Sequence, residues 1–147
     1  TFNIGSSYIG KYLLFQISGT VLSNLLWGYI SSRFNSKDVV RICILGGAAI
    51  PLLALMFTPF GPDVFSVIFF LIGFLKSGRL VGFEPYLLYL SPDDRRTVYL
   101  GIRGTLNILV VLLPLLGGVF IDYLGYVFTF VLVSVMMSAA FFLLKKE

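Results

Sequence analysis

Three charged side chains lie inside one apolar run of the chain, within the stretch GFLKSGRLVGFEP from Gly73 to Pro85. They are Lys76, Arg79 and Glu84. On a straight helix Lys76 and Arg79 lie about 60° apart around the axis, whereas Glu84 lies about 140° from Arg79. Two cations on one face can bind a carboxylate or a phosphate, and Glu84 could pair with them or accept a proton. The alternative is that the three charges make structural ion pairs with acids elsewhere in the protein.

A row of polar side chains precedes this run. Gln16, Thr20 and Asn24 recur every fourth residue, which places them on one side of a helix. Such side chains either hydrogen-bond to a neighbouring helix or contact a substrate. Trp27 follows the row and either stacks on a ring-bearing substrate, packs inside the protein or lies toward the membrane interface.

The elements that would hold these residues are membrane-spanning helices. The chain has 147 residues, of which 58% are apolar and 12% charged, and its mean hydropathy is +0.96, beyond what soluble domains show. A helix of about 20 apolar residues crosses a bilayer, and continuous apolar runs favour helices over the alternating strands of a barrel. We therefore predict an all-α, polytopic membrane bundle with five transmembrane helices: Tyr12–Ile30, Val39–Phe57, Val64–Leu90, Val98–Ile121 and Tyr123–Leu144.

Basic residues lie almost entirely at one end of these spans. Asp63 and Asp122 lie in the opposite breaks, TPFGPD and IDYLGY, where Lys11 is the only nearby cation. Because basic loops stay in the cytoplasm, we predict an external N-terminus and a cytoplasmic C-terminus in the cell membrane. The net charge of +4 then reports topology and does not indicate nucleic-acid binding. The basic residues at the cytoplasmic end are Arg33, Lys37, Arg41, Arg95, Arg96, Arg103, Lys145 and Lys146.

Residue types exclude several classes of chemistry. Cys43 is the only cysteine and histidine is absent, so the chain offers no disulfide, no Cys/His metal cluster and no serine–histidine triad. Cys43 is interpreted as a small core residue. The sequence has no glycine-rich phosphate loop, so we expect neither nucleotide-driven transport nor an enzyme, and neither a cofactor nor a metal. The start at Thr1 and the odd number of spans suggest a fragment of a longer protein.

The segment GYISSRFNSKDVVR, between the first two spans, resembles a loop of the major facilitator superfamily that reads Gly-x-x-x-Asp-Arg-x-Gly-Arg-Arg/Lys. Gly28, Arg33 and Lys37 match it. Ser32 stands at the acidic position, which removes the expected carboxylate partner of the arginine. Asn35 stands at the second glycine, and because asparagine tolerates a left-handed backbone, we expect the turn to be kept. The resemblance implies that this loop is a conformational switch.

A longer segment, SPDDRRTVYLGIRGTLNILVVLLPLLGGVFIDYLGYVFTF, is similar to the stretch that joins the tenth, eleventh and twelfth helices of that superfamily. The residues that carry this second resemblance are Pro92, Asp93, Asp94, Arg95, Arg96, Pro114, Gly117, Gly118, Asp122, Gly125 and Tyr126. The resemblance implies that residues 1–147 form the incomplete C-terminal helical bundle, helices eight to twelve, of a twelve-helix transporter. Pro114, Gly117 and Gly118 would let a helix bend and approach a neighbour closely.

By this resemblance the chain is part of a secondary active transporter, which moves a small anionic or polar solute by alternating access about a site at the middle of the membrane. Its partners would be the solute, a coupling proton or sodium ion, the lipid bilayer and the missing N-terminal half. In the family the eighth, tenth and eleventh helices face the central cavity. The candidate substrate contacts are therefore Gln16, Thr20, Asn24, Lys76, Arg79, Glu84 and Asn107.

The alternative is a standalone small membrane protein, either an assembly subunit or a membrane-embedded enzyme with Asp93 and Asp94 at its cytoplasmic surface. These acids stand directly before Arg95 and Arg96, a pattern that is typical of a charged helix cap. The sequence supplies no base or nucleophile that would complete a catalytic site with them. An upstream reading frame of about 250 residues with six or seven apolar runs would favour the transporter.

Overall fold

The computed structural model describes residues 6–33 and 35–146, except the side chains of residues 6, 84, 109 and 144–146. Every regular element in these ranges is helical, which confirms the predicted all-α class. Short 3-10 turns join some of the helices, and Gly61, with φ of 87°, precedes the third one because glycine enters this region at no steric cost. The four helices that are long and apolar enough to cross a membrane are α1 (Ser6–Arg33), α2 (Ser36–Phe57), α3 (Phe65–Leu90) and α4 (Arg96–Lys146).

The five predicted spans and the four apolar elements of the described residues differ in number only at the last boundary. The expected spans Val98–Ile121 and Tyr123–Leu144 follow each other without a loop as the 51-residue element α4, in which two helices meet at a break at Gly125, with φ 80° and ψ 165°. The reason is that the sequence IDYL contains no residue that ends a helix, whereas glycine reaches positive φ easily. At about 1.5 Å per residue α4 is far longer than a bilayer is thick. We call residues 96–124 the first arm of α4 and residues 126–146 the second arm.

Helices α1 and α3 touch through their backbones. A Cβ atom added at Gly73 would lie 2.9 Å from the carbonyl carbon of Gln16 and 3.0 Å from the amide nitrogen of Thr20. At Gly19 an added Cβ would lie 3.0 Å from the carbonyl carbon of Phe70. These distances are too short for a side chain, so glycine is required at these two positions. Close approach of this kind replaces the hydrophobic effect as the source of helix association inside a bilayer.

The core of the bundle forms around Trp27, whose side chain is 1% exposed. Its indole Nε1 donates a hydrogen bond of 2.9 Å to the carbonyl oxygen of Phe74, and the ring packs with Val39 and Cys43. The structure therefore shows the packing alternative for Trp27, and Cys43 is buried as expected of a small core residue.

Two further glycines bring α3 against this core. The spacing of Gly78 and Gly82, four residues apart, predicts a close helix contact, and the structure confirms it. A Cβ atom at Gly78 would lie 2.6 Å from Cζ2 of the Trp27 ring, and one at Gly82 would lie 2.7 Å from Cγ1 of Val39. One face of α3 is thus filled by α1 and α2, which leaves the opposite face, with Arg79, exposed.

Contacts at the other end of the bundle join α1 to the connection between α2 and α3. Lys11 forms an ion pair with Asp63, and the Tyr12 hydroxyl donates a hydrogen bond of 2.7 Å to the carbonyl oxygen of Pro62. The Tyr12 ring stacks on Phe69 with a centroid distance of 4.6 Å. The first residues of α1 and the α2–α3 connection therefore lie at the same end, as the alternating topology of the predicted spans requires.

The two arms of α4 differ in how much of their surface the bundle covers. The second arm packs on α2, where a Cβ at Gly47 would meet the Met137 side chain, and Thr129 and Ser134 are buried. In the first arm none of the described residues is buried. Gly117 and Gly118 have nothing within 4 Å that an added Cβ would meet, so their proposed role in close helix packing stays a prediction.

Candidate functional site

The candidate site is a pocket of about 280 Å³ between α3 and the first arm of α4. Its apolar walls carry a small group of polar side chains, an arrangement typical of small-molecule sites. The polar lining residues are Arg79, Tyr99, Arg103 and Asn107, and the apolar ones are Leu80, Phe83, Leu87, Ile102, Leu106 and Val110.

Each wall of the pocket is one face of a helix. On α3 the lining residues Arg79, Phe83 and Leu87 follow each other at intervals of four, which aligns them along one side. On the first arm Tyr99, Arg103 and Asn107 do the same. The site is therefore positioned by two helices that a short connection joins. Each helix contributes one row of side chains to the pocket.

Two guanidinium groups dominate the electrostatics of this pocket. Arg79 lies near the middle of α3, and Arg103 lies with its guanidinium carbon 5.9 Å from the centroid of the Phe83 ring, a cation–π distance. A cation at the centre of a membrane helix costs about 2.5–3.5 kcal/mol on insertion scales. An anion held between the two groups would offset that cost, because a guanidinium binds carboxylate or phosphate through two parallel hydrogen bonds.

The pocket unites some of the residues singled out in the sequence and leaves others out. Arg79 and Asn107 line it together, whereas Lys76 is exposed on α3 and is not among the lining residues. The side chain of Glu84 lies outside the described residues. Arg103 was interpreted only as a topology signal in the sequence. Its i, i+4 spacing to Asn107 is the pattern that could have identified it as a site residue.

The polar row of α1 makes contacts between helices. The Thr20 hydroxyl lies 3.0 Å from the carbonyl oxygen of Gln16 and 3.2 Å from that of Gly73, and Asn24 accepts a hydrogen bond from the Ser77 hydroxyl through its Oδ1 atom. Gln16 contributes its backbone to the same contact with α3. These hydrogen bonds correspond to the first of the two alternatives, in which the polar row of α1 bonds to a neighbouring helix. Contact of these side chains with a substrate stays a prediction.

The loop between α1 and α2 differs from the expected turn. Asn35 has φ −66° and ψ 146°, so the expectation of a left-handed backbone there is wrong. The reason is that α2 begins at the next residue and Asn35 occupies the N-cap position, where an extended backbone is usual. The Arg33 guanidinium carbon lies 5.4 Å from the Tyr29 ring centroid, while Gly28 has open space around it. A switching role for Gly28, Arg33 and Lys37 stays a prediction.

The acidic pair before α4 is held in ion pairs. Asp93 lies 2.7 Å from Arg96, and Asp94 lies 3.5 Å from Arg95. Carboxylates at a helix start interact favourably with its dipole. This geometry agrees with a charged cap and gives no support to a catalytic role for the two acids.

Comparison with protein-family models matches residues 1–147 to the model described as Major Facilitator Superfamily. The match covers the whole of the sequence, including α1 to α4 and the pocket between α3 and the first arm. Comparisons with curated proteins and with solved structures found no match.

Proposed function

The chain belongs to the major facilitator superfamily, a family of multi-pass membrane transporters, and we propose that it is the C-terminal bundle of a secondary transporter for a small organic anion. The observation that carries the substrate class is the pocket in which Arg79, Arg103 and Asn107 stand among apolar side chains. Its polar groups are donors for a carboxylate or phosphate. Its walls suit an apolar body, so the expected solute is small and amphipathic.

Alternating access is supported by the way the pocket is built. Its two walls belong to α3, which is fixed to α1 and α2 by the glycine contacts, and to the first arm of α4, in which none of the described residues is buried. A site between a fixed and a weakly covered element can open on one side when the helices rock. We propose that the N-terminal half of the transporter covers the exposed surface of the first arm.

Coupling to a proton or sodium gradient is the further part of the proposal, and it assigns a role to Glu84. This residue follows the pocket residue Phe83 directly in the chain, and an ionisable carboxyl group within a membrane span can take part in proton exchange. Replacing Glu84 by Gln should leave binding of the anion measurable while removing the dependence of uptake on the gradient. Uptake that follows the gradient unchanged would contradict this role.

The orientation follows the basic residues. Arg33, Arg95 and Arg96 lie at the helix ends that meet at one side of the bundle, so we infer from the positive-inside rule that this side faces the cytoplasm at the cell membrane. We propose that the two arms of α4 cross the bilayer in opposite directions, which would bring the C-terminus back to the same side. Accessibility labelling of single cysteines in the loop after Arg33 and in the connection around Asp63 would test the assignment. Labelling of the first loop from outside intact cells would contradict it.

The substrate class is tested with the full-length transporter in detergent. A panel of small carboxylates and phosphate esters, each with its neutral amide or alcohol, is screened for stabilisation of the protein against heat, and the anions that stabilise it are then measured for uptake into proteoliposomes. Replacing Arg79 by Gln removes a charged hydrogen-bonding partner, which costs about 2 kcal/mol or more, roughly 30-fold in affinity. Arg79→Lys should recover part of this, because lysine keeps the charge without the planar fork.

The matched control is Arg95→Gln, which removes the same charge from an exposed side chain in the α3–α4 connection. Lys76→Gln should have a smaller effect than Arg79→Gln, since Lys76 lies outside the pocket. Stabilisation by the neutral analogues alone, or equal binding by Arg79→Gln and Arg95→Gln, would contradict the anion site. Loss of uptake with unchanged anion binding would leave the site in place and contradict its role in translocation.

A further inference from the structure

A second cavity, also of about 280 Å³, lies where α2 begins and α3 ends. Its lining residues are Asn35, Ser36 and Lys37 from the start of α2, and Tyr86 and Tyr89 from the last turns of α3. The pocket between α3 and the first arm of α4 shares none of these residues. The cavity is therefore separate from the site proposed for the transported solute.

The groups that line this cavity are hydrogen-bond donors. Lys37 supplies an ammonium group, and Ser36 and the two tyrosines supply hydroxyls. Asp38 does not line the cavity, and its carboxylate pairs with Arg41. The side chain of Asn35 makes no capping hydrogen bond to the first turn of α2. The described lining thus has one positive charge and several donors with no acidic side chain to neutralise them.

Tyr86 holds a hydroxyl at the wall of the cavity that has no hydrogen-bond partner among the described residues. Its side chain is 7% exposed, yet within the part of the chain that the structure describes its hydroxyl makes no hydrogen bond. The hydroxyl itself is not fully enclosed and borders the cavity, so it is free to donate a hydrogen bond to a ligand there. A ligand with acceptor oxygens in the cavity would satisfy the hydroxyl and neutralise Lys37 at the same time.

We propose that this cavity binds the phosphate of an anionic phospholipid. It lies at the ends of two membrane-spanning helices, since α2 begins at Ser36 and α3 ends at Leu90, which is the depth of lipid headgroups. Tyr89 is 84% exposed, as is typical of a tyrosine at the membrane interface. Basic pockets between helices on the cytoplasmic side are suited to lipid phosphates. The volume holds a phosphodiester and its first carbons, and the acyl chains lie along the outside of the bundle.

The test is native mass spectrometry of the full-length protein, delipidated in detergent and titrated with dioleoylphosphatidylglycerol or dioleoylphosphatidylcholine. The first lipid bound should be the anionic one, with at least about fivefold preference. Lys37→Gln should weaken its binding about tenfold, because the bond that is lost is charge-assisted. Tyr86→Phe removes one hydroxyl and keeps the buried ring, so it should weaken binding about threefold without unfolding the protein.

The matched control Arg95→Gln removes a cation from the same end of the bundle and should change the affinity less than twofold. If Arg95→Gln and Lys37→Gln lose equal lipid affinity, the lipid is held by diffuse electrostatic attraction and the proposed site is overturned. An unchanged lipid affinity in Tyr86→Phe would overturn it too. Inorganic phosphate is added in a second arm at constant ionic strength. If inorganic phosphate displaces the lipid only at concentrations above tens of millimolar, the lipid is supported as the occupant. If phosphate binds in a way that depends on Lys37 and the lipid does not compete with it, the proposal that the cavity binds a lipid is overturned.

Discussion

The substitution Gly73→Ala tests the backbone contact that positions α3. The new Cβ atom would lie 2.9 Å from the Gln16 carbonyl carbon and 3.0 Å from the Thr20 amide nitrogen, and backbone atoms cannot move aside as a flexible side chain can. The helices must separate, which costs about 1–3 kcal/mol as overpacking. Separation also weakens the 3.2 Å hydrogen bond from Thr20 to the Gly73 carbonyl, a bond worth about 0.6 kcal/mol between membrane helices.

The control is Gly28→Ala on α1, where an added Cβ meets nothing within 4 Å. Both variants gain about 1 kcal/mol of helix propensity, so their difference isolates the helix contact and should be about 1.5–3.5 kcal/mol. Heat unfolding of the two proteins in the same detergent measures it, with a midpoint lower by about 5 °C or more for Gly73→Ala. Equal midpoints would refute the inference that backbone contact between α1 and α3 stabilises the bundle.

Three further predictions concern other parts of the chain. Gly125→Ala should lower the free energy of unfolding by about 1–2 kcal/mol, because φ of 80° is strained for any residue with a Cβ. The control is Gly104→Ala, at a helical position where an added Cβ meets nothing within 4 Å. Equal stability of the two variants would contradict the break in α4. A double-mutant cycle of Lys11→Gln and Asp63→Asn should give a coupling energy below about 1 kcal/mol. Both side chains are substantially exposed, and exposed ion pairs contribute little to stability. A larger coupling energy would contradict this and show that the ion pair is shielded from water in the full protein. Residues 1–147 expressed alone should self-associate in detergent, because the first arm exposes its surface, and a monodisperse, thermally stable monomer would argue against the proposal that another half covers it.

The membrane-helix fold could be predicted because it depends on local properties, namely the length of each apolar run and the residues that interrupt it. The close contact at Gly78 and Gly82 was predictable for the same reason, since two small residues on one face allow approach wherever a neighbour lies. The break in α4 was predicted within IDYLGY, but its exact residue was not. This segment contains both an acidic residue and a glycine, and the ease with which glycine adopts positive φ decided the position.

The candidate site could be predicted only in part. The position of Arg79 at the centre of its span showed that it needs a partner or a cavity, but the sequence does not say which helix faces it. Whether Arg79 and Arg103 line the same pocket depends on the register of α3 against α4, which is a tertiary property. In the same way the row from Gln16 to Asn24 has equal spacing whether it faces a lumen or a neighbouring helix, and the hydrogen bond from Ser77 to Asn24 distinguishes the two only once the helices are packed.

A helix contact made by backbone atoms has no alternative rotamers, so it cannot adjust by exchanging side-chain conformations. At Gly19 and Gly73 the surfaces of α1 and α3 are the peptide groups themselves, and a shift of one helix along the other would bring carbonyl oxygens into collision within a fraction of a turn. We therefore expect helices α1 and α3 to translate and tilt as one body during the proposed transport cycle. A pair of spin labels on these two helices would keep a constant separation, while a label on the first arm of α4 would change its distance to both.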